Sequence, residues 1–204
     1  MVHLELEDVR LEGHLRQPPD SDRLAIFVHG SGSSRHSPRN NHVAERLEKA
    51  GISSLLFDLL TETEDSSRAT RFDIDLLTRR VLGAMDWVTG QPELSGLAVH
   101  LFGASTGAAA AIRAAAVRGE GVRSVVSRGG RPDLAGDALG QLQVPCLLIV
   151  GGNDPEVLQM NRDAKSEMSA PSELRVVEGA THLFQESGAL DTVANYATEW
   201  IQAH

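Results

Sequence analysis

Short, nearly unbroken apolar runs recur along this chain, at Leu24–His29, Ile52–Phe57, Leu97–Phe102 and Cys146–Val150. Each is too short for a core helix and apolar on both alternating faces, the pattern of a strand buried on both sides of a parallel sheet. Parallel neighbours need a crossover between them, and the intervening segments carry apolar residues at helical spacing. Alternation of this kind with short loops predicts a mainly parallel sheet with helices on both faces.

The remaining elements follow from local signals. Val2–Leu6 and Val9–Arg16 alternate apolar and polar residues, as half-buried strands do, and Glu7-Asp8 suits a hairpin turn between them. Ser37-Pro38 reads as an N-cap followed by proline at the first helical position, opening a helix that runs to Ala50 and stops at Gly51. Further helices are expected over Asp73–Val88, Ser105–Val117, Leu134–Leu142, Glu156–Met168 and Ala189–Ala203, and further strands at Val122–Ser127 and Leu174–Val177. That makes eight strands, the first two antiparallel, in a single domain over 1–204. The connection after the Val122 strand is too short for a cap domain, so a rather open site is expected.

Bulk composition narrows the partners. With 19 basic against 28 acidic residues, the formal charge is −9 and the basic residues are scattered. A nucleic-acid or anionic-membrane surface would need them clustered, so neither partner is expected. No apolar stretch approaches a membrane span, and the first residues lack a signal peptide's apolar centre, which makes a cytoplasmic protein the expectation. Cys146, alone of its kind and inside an apolar run, reads as a core thiol.

The chemistry concentrates in one pentapeptide, Gly103-Ala104-Ser105-Thr106-Gly107. A G-x-S-x-G elbow places its serine on a sharp strand-to-helix turn with an exposed hydroxyl. Here the apolar run Leu97–Phe102 precedes it and an alanine-rich helix follows. A nucleophilic serine also needs a base, an orienting acid and oxyanion donors. In such folds the acid and histidine come later in the chain, each after a strand. Asp154, in Gly-Gly-Asn-Asp-Pro, and His182, in Gly-Ala-Thr-His, fall there. Asp154 could instead be a helix cap, with Asp133 and Asp137 as substitute acids.

The loop His29-Gly30-Ser31-Gly32-Ser33-Ser34 follows the first long apolar run. It is expected to supply one oxyanion N–H from Ser31, with the second from Thr106. A phosphate-binding glycine loop is the competing reading, but neither G-x-G-x-x-G nor G-x-x-x-x-G-K-[ST] is present. Gly30 and Gly32 would let substrate approach the backbone, and Arg35, His36 and Arg128 are candidate substrate contacts, as are Arg39 and Arg131. His3, His14, His42, His100 and His204 have no motif around them.

With HGSGSS, GASTG, GGNDP and GATH in order, the chain resembles the α/β-hydrolase superfamily, and within it the compact dienelactone-hydrolase-like branch. The resemblance covers essentially the whole chain. It implies an α/β-hydrolase fold with an eight-stranded sheet, a Ser105–His182–Asp154 triad, an acyl-enzyme on Ser105, and water activated by His182. It implies no cofactor, no metal, and a small-molecule ester as substrate. Two departures stand out. Dienelactone hydrolases use a cysteine where this elbow has Ser105, and the HGGG signature of lipases and esterases is replaced by HGSGS. A thioesterase, lactonase or amidase with the same triad, or a ligand-binding scaffold without catalysis, remains open, and the oligomeric state is not read from sequence.

Overall fold

A computed structural model describes residues 1–204. The hairpin β1 (Val2–Glu5) and β2 (Arg10–Arg16) leads to β3 (Arg23–Val28), α1 (Pro38–Lys49) and β4 (Ser53–Phe57). Two one-turn helices, α2 (Glu62–Asp65) and α3 (Arg68–Arg71), precede α4 (Ile74–Thr89), β5 (Ala98–Ala104) and α5 (Thr106–Arg118). Then come β6 (Ser124–Arg128), α6 (Ala138–Gln141), β7 (Cys146–Gly151), α7 (Pro155–Glu167), β8 (Ser172–Val177) and α8 (Ala189–Ala203).

The eight strands form one sheet in the order β1-β2-β4-β3-β5-β6-β7-β8, antiparallel as far as the β2–β4 pair and parallel from there on. The pleat sorts side chains onto two cores. Leu24, Ile26 and Val28 of β3 pack on the face carrying α4 and α5. Ala25 and Phe27 pack on the face carrying α1 and α8. Alanines dominate the buried side of α5, so this helix lies close to the sheet.

Most expected elements are present, with shifted ends. Ser37 caps α1 by accepting from the Asn40 N–H at 3.3 Å, and Gly51 takes φ +80 just past the helix, which a side chain would resist. The helix expected over Leu134–Leu142 is instead a 3-10 turn (Pro132–Ala135) and the single turn α6. Gly136 between them has φ +59, incompatible with a continuous right-handed helix. The pair α2–α3 is additional, and Thr61 and Glu64 form a full capping box at its start.

Cys146 is completely buried, and burial pushes its thiol up to about 12, consistent with an inert core residue. His100 is equally buried on β5, with Nδ1 2.9 Å from the Ser124 hydroxyl and no partner for Nε2. Burial first, then the charges of Arg23 and His204, lower its pKa to about 4. A histidine whose folded pKa lies below its unfolded 6.5 leaves stability intact above pH 6.5 and loses it as pH falls toward 4. The loss should reach about 3 kcal/mol. Urea unfolding at pH 7 and 4.5 checks this: His100→Gln should show a flatter pH dependence than the wild type, and equal slopes would refute it.

Candidate active site

The connection leaving β3 turns toward β4, whereas the one leaving β5 turns toward β6. These adjacent strands are therefore the switch point of the sheet, where loops separate and leave a crevice at the carboxyl ends. Ser105 directly follows β5, and the His29–Ser34 loop directly follows β3.

Ser105 has φ 50 and ψ −125, a conformation a non-glycine residue occupies only under constraint. The constraint is visible on each side. The Ser105 N–H donates to the Arg128 carbonyl at 3.3 Å, and the Ser105 carbonyl accepts from the N–H groups of Ala108 (3.1 Å) and Arg131 (3.0 Å). The elbow glycines are needed for contact: a Cβ on Gly103 would collide with the backbone of Ala108, and one on Gly107 with the carbonyls of Val28 and His29. Gly30 lies over the serine, so that a Cβ there would stand 2.9 Å from Ser105 Cβ.

His182 Nδ1 lies 2.7 Å from Asp154 Oδ2. Asp154 occupies the N-cap position of α7 but makes no capping bond with its side chain; the carboxylate is turned to the imidazole instead. That contact favours the tautomer with hydrogen on Nδ1 and leaves the Nε2 lone pair free. The Asp154 side chain is 15% exposed and that of His182 39%, so the acid is sheltered while the imidazole reaches solvent. Close packing holds the two loops together, because a Cβ on Gly151 would collide with the Ala180 carbonyl. The substitute acids are placed elsewhere: Asp133 forms a two-pronged pair with Arg131 at 2.9 and 2.7 Å, and Asp137 is exposed at the start of α6.

Ser31 and Thr106 meet. The Ser31 N–H donates to Thr106 Oγ1 at 2.9 Å, tying the loop after β3 to the first turn of α5. Thr106 is the first residue of α5, so its own N–H has no acceptor within the helix. His29 braces the loop from beneath. Its Nε2 accepts from the Leu59 N–H at 3.0 Å, leaving Nδ1–H to donate to the Gly30 carbonyl at 3.0 Å. Burial lowers the pKa of His29 and keeps it neutral for both bonds.

No protein-family model matches the chain. Among solved structures, a dienelactone hydrolase from Anabaena variabilis is 49% identical and superimposes with a TM-score of 0.97, over 100% of this chain and 96% of that one. The chain belongs to the dienelactone hydrolase family. Est1E from Butyrivibrio proteoclasticus shares the fold at 16% identity, with a TM-score of 0.84 over 100% of this chain and 98% of that one. Two Mycobacterium tuberculosis proteins, provisionally named phosphoribosyl transferases, are 52% identical over 196 residues, 96% of this chain. The chain spans only 44% of the length of those curated relatives.

In this dienelactone hydrolase-family site the other candidate residues divide sharply. Arg35 pairs with Asp58 and Glu12, so its charge is already committed inside the protein. That removes the free guanidinium expected as a substrate contact. His36 stands edge-on to His14 with ring centroids 5.1 Å apart. Arg35 and His36 border a cleft of about 630 Å³ that includes none of Ser105, Asp154 and His182. Gly32 has φ +69, and a Cβ there would stand 3.5 Å from Nη1 of Arg71. Arg71, at the end of α3, is a neighbour of the loop that sequence reasoning missed; the Thr61-x-x-Glu64 capping pattern was the available signal that ordered helix precedes it. Arg128 is buried on the α1/α8 side of the crevice, with Arg39 nearby.

Proposed function

We propose that this chain is a serine carboxylesterase acting on small or medium acyl esters, with Ser105 as nucleophile, His182 as general base and Asp154 as its orienting acid. The observation that carries the reading is the strained serine at the switch point together with a histidine held at 2.7 Å by a sheltered carboxylate. Ser105 Oγ attacks the acyl carbon while its proton passes to His182 Nε2. The carbonyl π-electrons move onto oxygen, which accepts hydrogen bonds from the N–H groups of Thr106 and Ser31, the latter exchanging Thr106 Oγ1 for the substrate. Collapse of this intermediate breaks the bond to the alkoxide, which takes the proton from His182 and leaves an acyl-enzyme. Water then attacks the acyl carbon, its proton again passing to His182 and on to Ser105 as the acid departs.

Membership of the dienelactone hydrolase family supports hydrolysis; the ester preference rests on the site. A thioester, lactone or amide would use the same steps with a different leaving group. The transferase name of the longer mycobacterial relatives draws on no feature of this site. A fluorophosphonate probe should add covalently to the peptide containing Ser105, and p-nitrophenyl butyrate should be hydrolysed. A folded protein that resists the probe and leaves the ester intact would overturn the proposal.

A further inference from the structure

Asn161 is completely buried in the middle of α7, where asparagine is a poor helix former and a polar side chain is costly. Its Nδ2 donates to two carbonyls, that of Val157 one turn back at 2.8 Å and that of Gly130 at 3.0 Å. Two acceptors fix which end of the amide faces them, and Oδ1 is left buried with no donor in the protein. For stability alone such an amide is a weak choice, because the unpaired oxygen offsets what the nitrogen gains.

The bond to Gly130 holds the turn after β6. No backbone N–H reaches the Gly130 carbonyl, so Asn161 supplies its donor from 31 residues away. The turn is pressed close on α5: a Cβ on Gly130 would stand 2.5 Å from Ala108 Cβ and 2.0 Å from Ser127 Oγ. Each flank reaches a member of the proposed triad. On one side the Arg131 N–H donates to the Ser105 carbonyl at 3.0 Å, one of the bonds that keep this serine at φ 50. On the other, Gly129 takes φ +50, and a Cβ there would stand 3.2 Å from the His182 carbonyl oxygen and 3.6 Å from its Nδ1. The third member, Asp154, is the N-cap of the helix that carries Asn161.

We propose that Asn161 is a positioning residue for the triad, fixing the Gly129–Arg131 turn so that Ser105 and His182 keep their placement relative to α7 and Asp154. The Gly130 carbonyl and the Arg131 N–H belong to one planar peptide unit. Asn161 pins the oxygen end of that unit, and the hydrogen end clamps Ser105. Without the pin the unit is free to rotate, and the clamp on the strained serine goes with it. A displacement of about 1 Å between reacting groups costs about a hundredfold in rate. Completely buried, Asn161 acts through the turn and not on the substrate. This rests on the ester-hydrolase reading above and deepens it.

The test sets wild type beside Asn161→Leu, which is similar in size but donates nothing, and Ala164→Gly, which weakens the same helix and leaves the Gly130 bond in place. With p-nitrophenyl butyrate, well below each unfolding midpoint, Asn161→Leu should lose about ten- to a hundredfold in kcat while KM stays within about threefold. Ala164→Gly should lower Tm yet keep kcat within about twofold of wild type. Amide hydrogen exchange gives a second reading that needs no turnover. Relative to the amides of β7, the Arg131 N–H should exchange about tenfold faster or more in Asn161→Leu, and unchanged in Ala164→Gly. Should Asn161→Leu not fold, Asn161→Ala, smaller and equally unable to donate, carries the same expectations. If wild type hydrolyses no ester while the Arg131 N–H responds as stated, the Ser105 reading fails and the hold of Asn161 on the turn stands. In an active wild type, a kcat or an Arg131 exchange left unchanged by Asn161→Leu, or moved equally by Ala164→Gly, overturns the proposal.

Discussion

Ser105→Ala should reduce ester turnover by about three to six orders of magnitude if Ser105 is the nucleophile proposed above, because its removal would disable the proposed triad at once. The fold should survive, since Ser105 makes its structural bonds through its backbone: the N–H to Arg128 and the carbonyl to Ala108 and Arg131. Stability separates the role of the side chain from the strain in the chain. At φ 50 and ψ −125 alanine is as ill-fitted as serine, while glycine is not. Ser105→Gly should therefore be more stable than Ser105→Ala by about 1 kcal/mol and equally inactive. Progress curves with a p-nitrophenyl ester and urea melts of the three proteins give both answers. Turnover within tenfold of wild type in Ser105→Ala would rule this serine out as the nucleophile.

The parts legible in the sequence were those coded over a few residues. Runs such as Leu24–His29 announce strands because burial on both faces leaves no polar alternation, and Ser37-Pro38 announces a helix because cap and first position have distinct chemistry. Ser105, Asp154 and His182 could be picked out as candidates because each comes after a strand, β5, β7 and β8, of the parallel part of the sheet, whose carboxyl ends lie along one edge. The helices α2 and α3 escaped notice because a single turn is too short to show a period.

What the sequence concealed was which charges cancel one another. Arg35 and Arg128 look alike in the sequence, each an arginine shortly after an expected strand, yet their fates depend on contacts far along the chain. The partners of Arg35 come from β2 and from the end of β4, each 23 residues away, while Arg128 meets Asn40 across 88 residues. The bond between Ser31 and Thr106 spans 75 residues. Such pairings follow from strand order, which local patterns constrain only through handedness and short connections. Asp154 illustrates the same divide: its place before a helix suggested a cap, and only the loop after β8 shows that its carboxylate is directed to His182.

Gly107→Ala should cost about 3 kcal/mol or more, as much as severe overpacking in a core, although it adds one methyl group. The methyl would meet the carbonyl oxygens of Val28 and His29, which are backbone and cannot swing aside as a side-chain tip could. Relief would require α5 to move away from the end of β3. That motion opens the Ser31–Thr106 bond and shifts the loop over Ser105, so stability and turnover should fall together. Gly96→Ala provides the contrast, for nothing lies within 4 Å of its Cβ and its φ is not positive. It should change stability by no more than about 0.5 kcal/mol, as surface substitutions usually do. Equal urea midpoints for the two variants would show that α5 can yield at its first turn, and the close seating of helix on strand would then not be what holds Ser105 in its strained conformation.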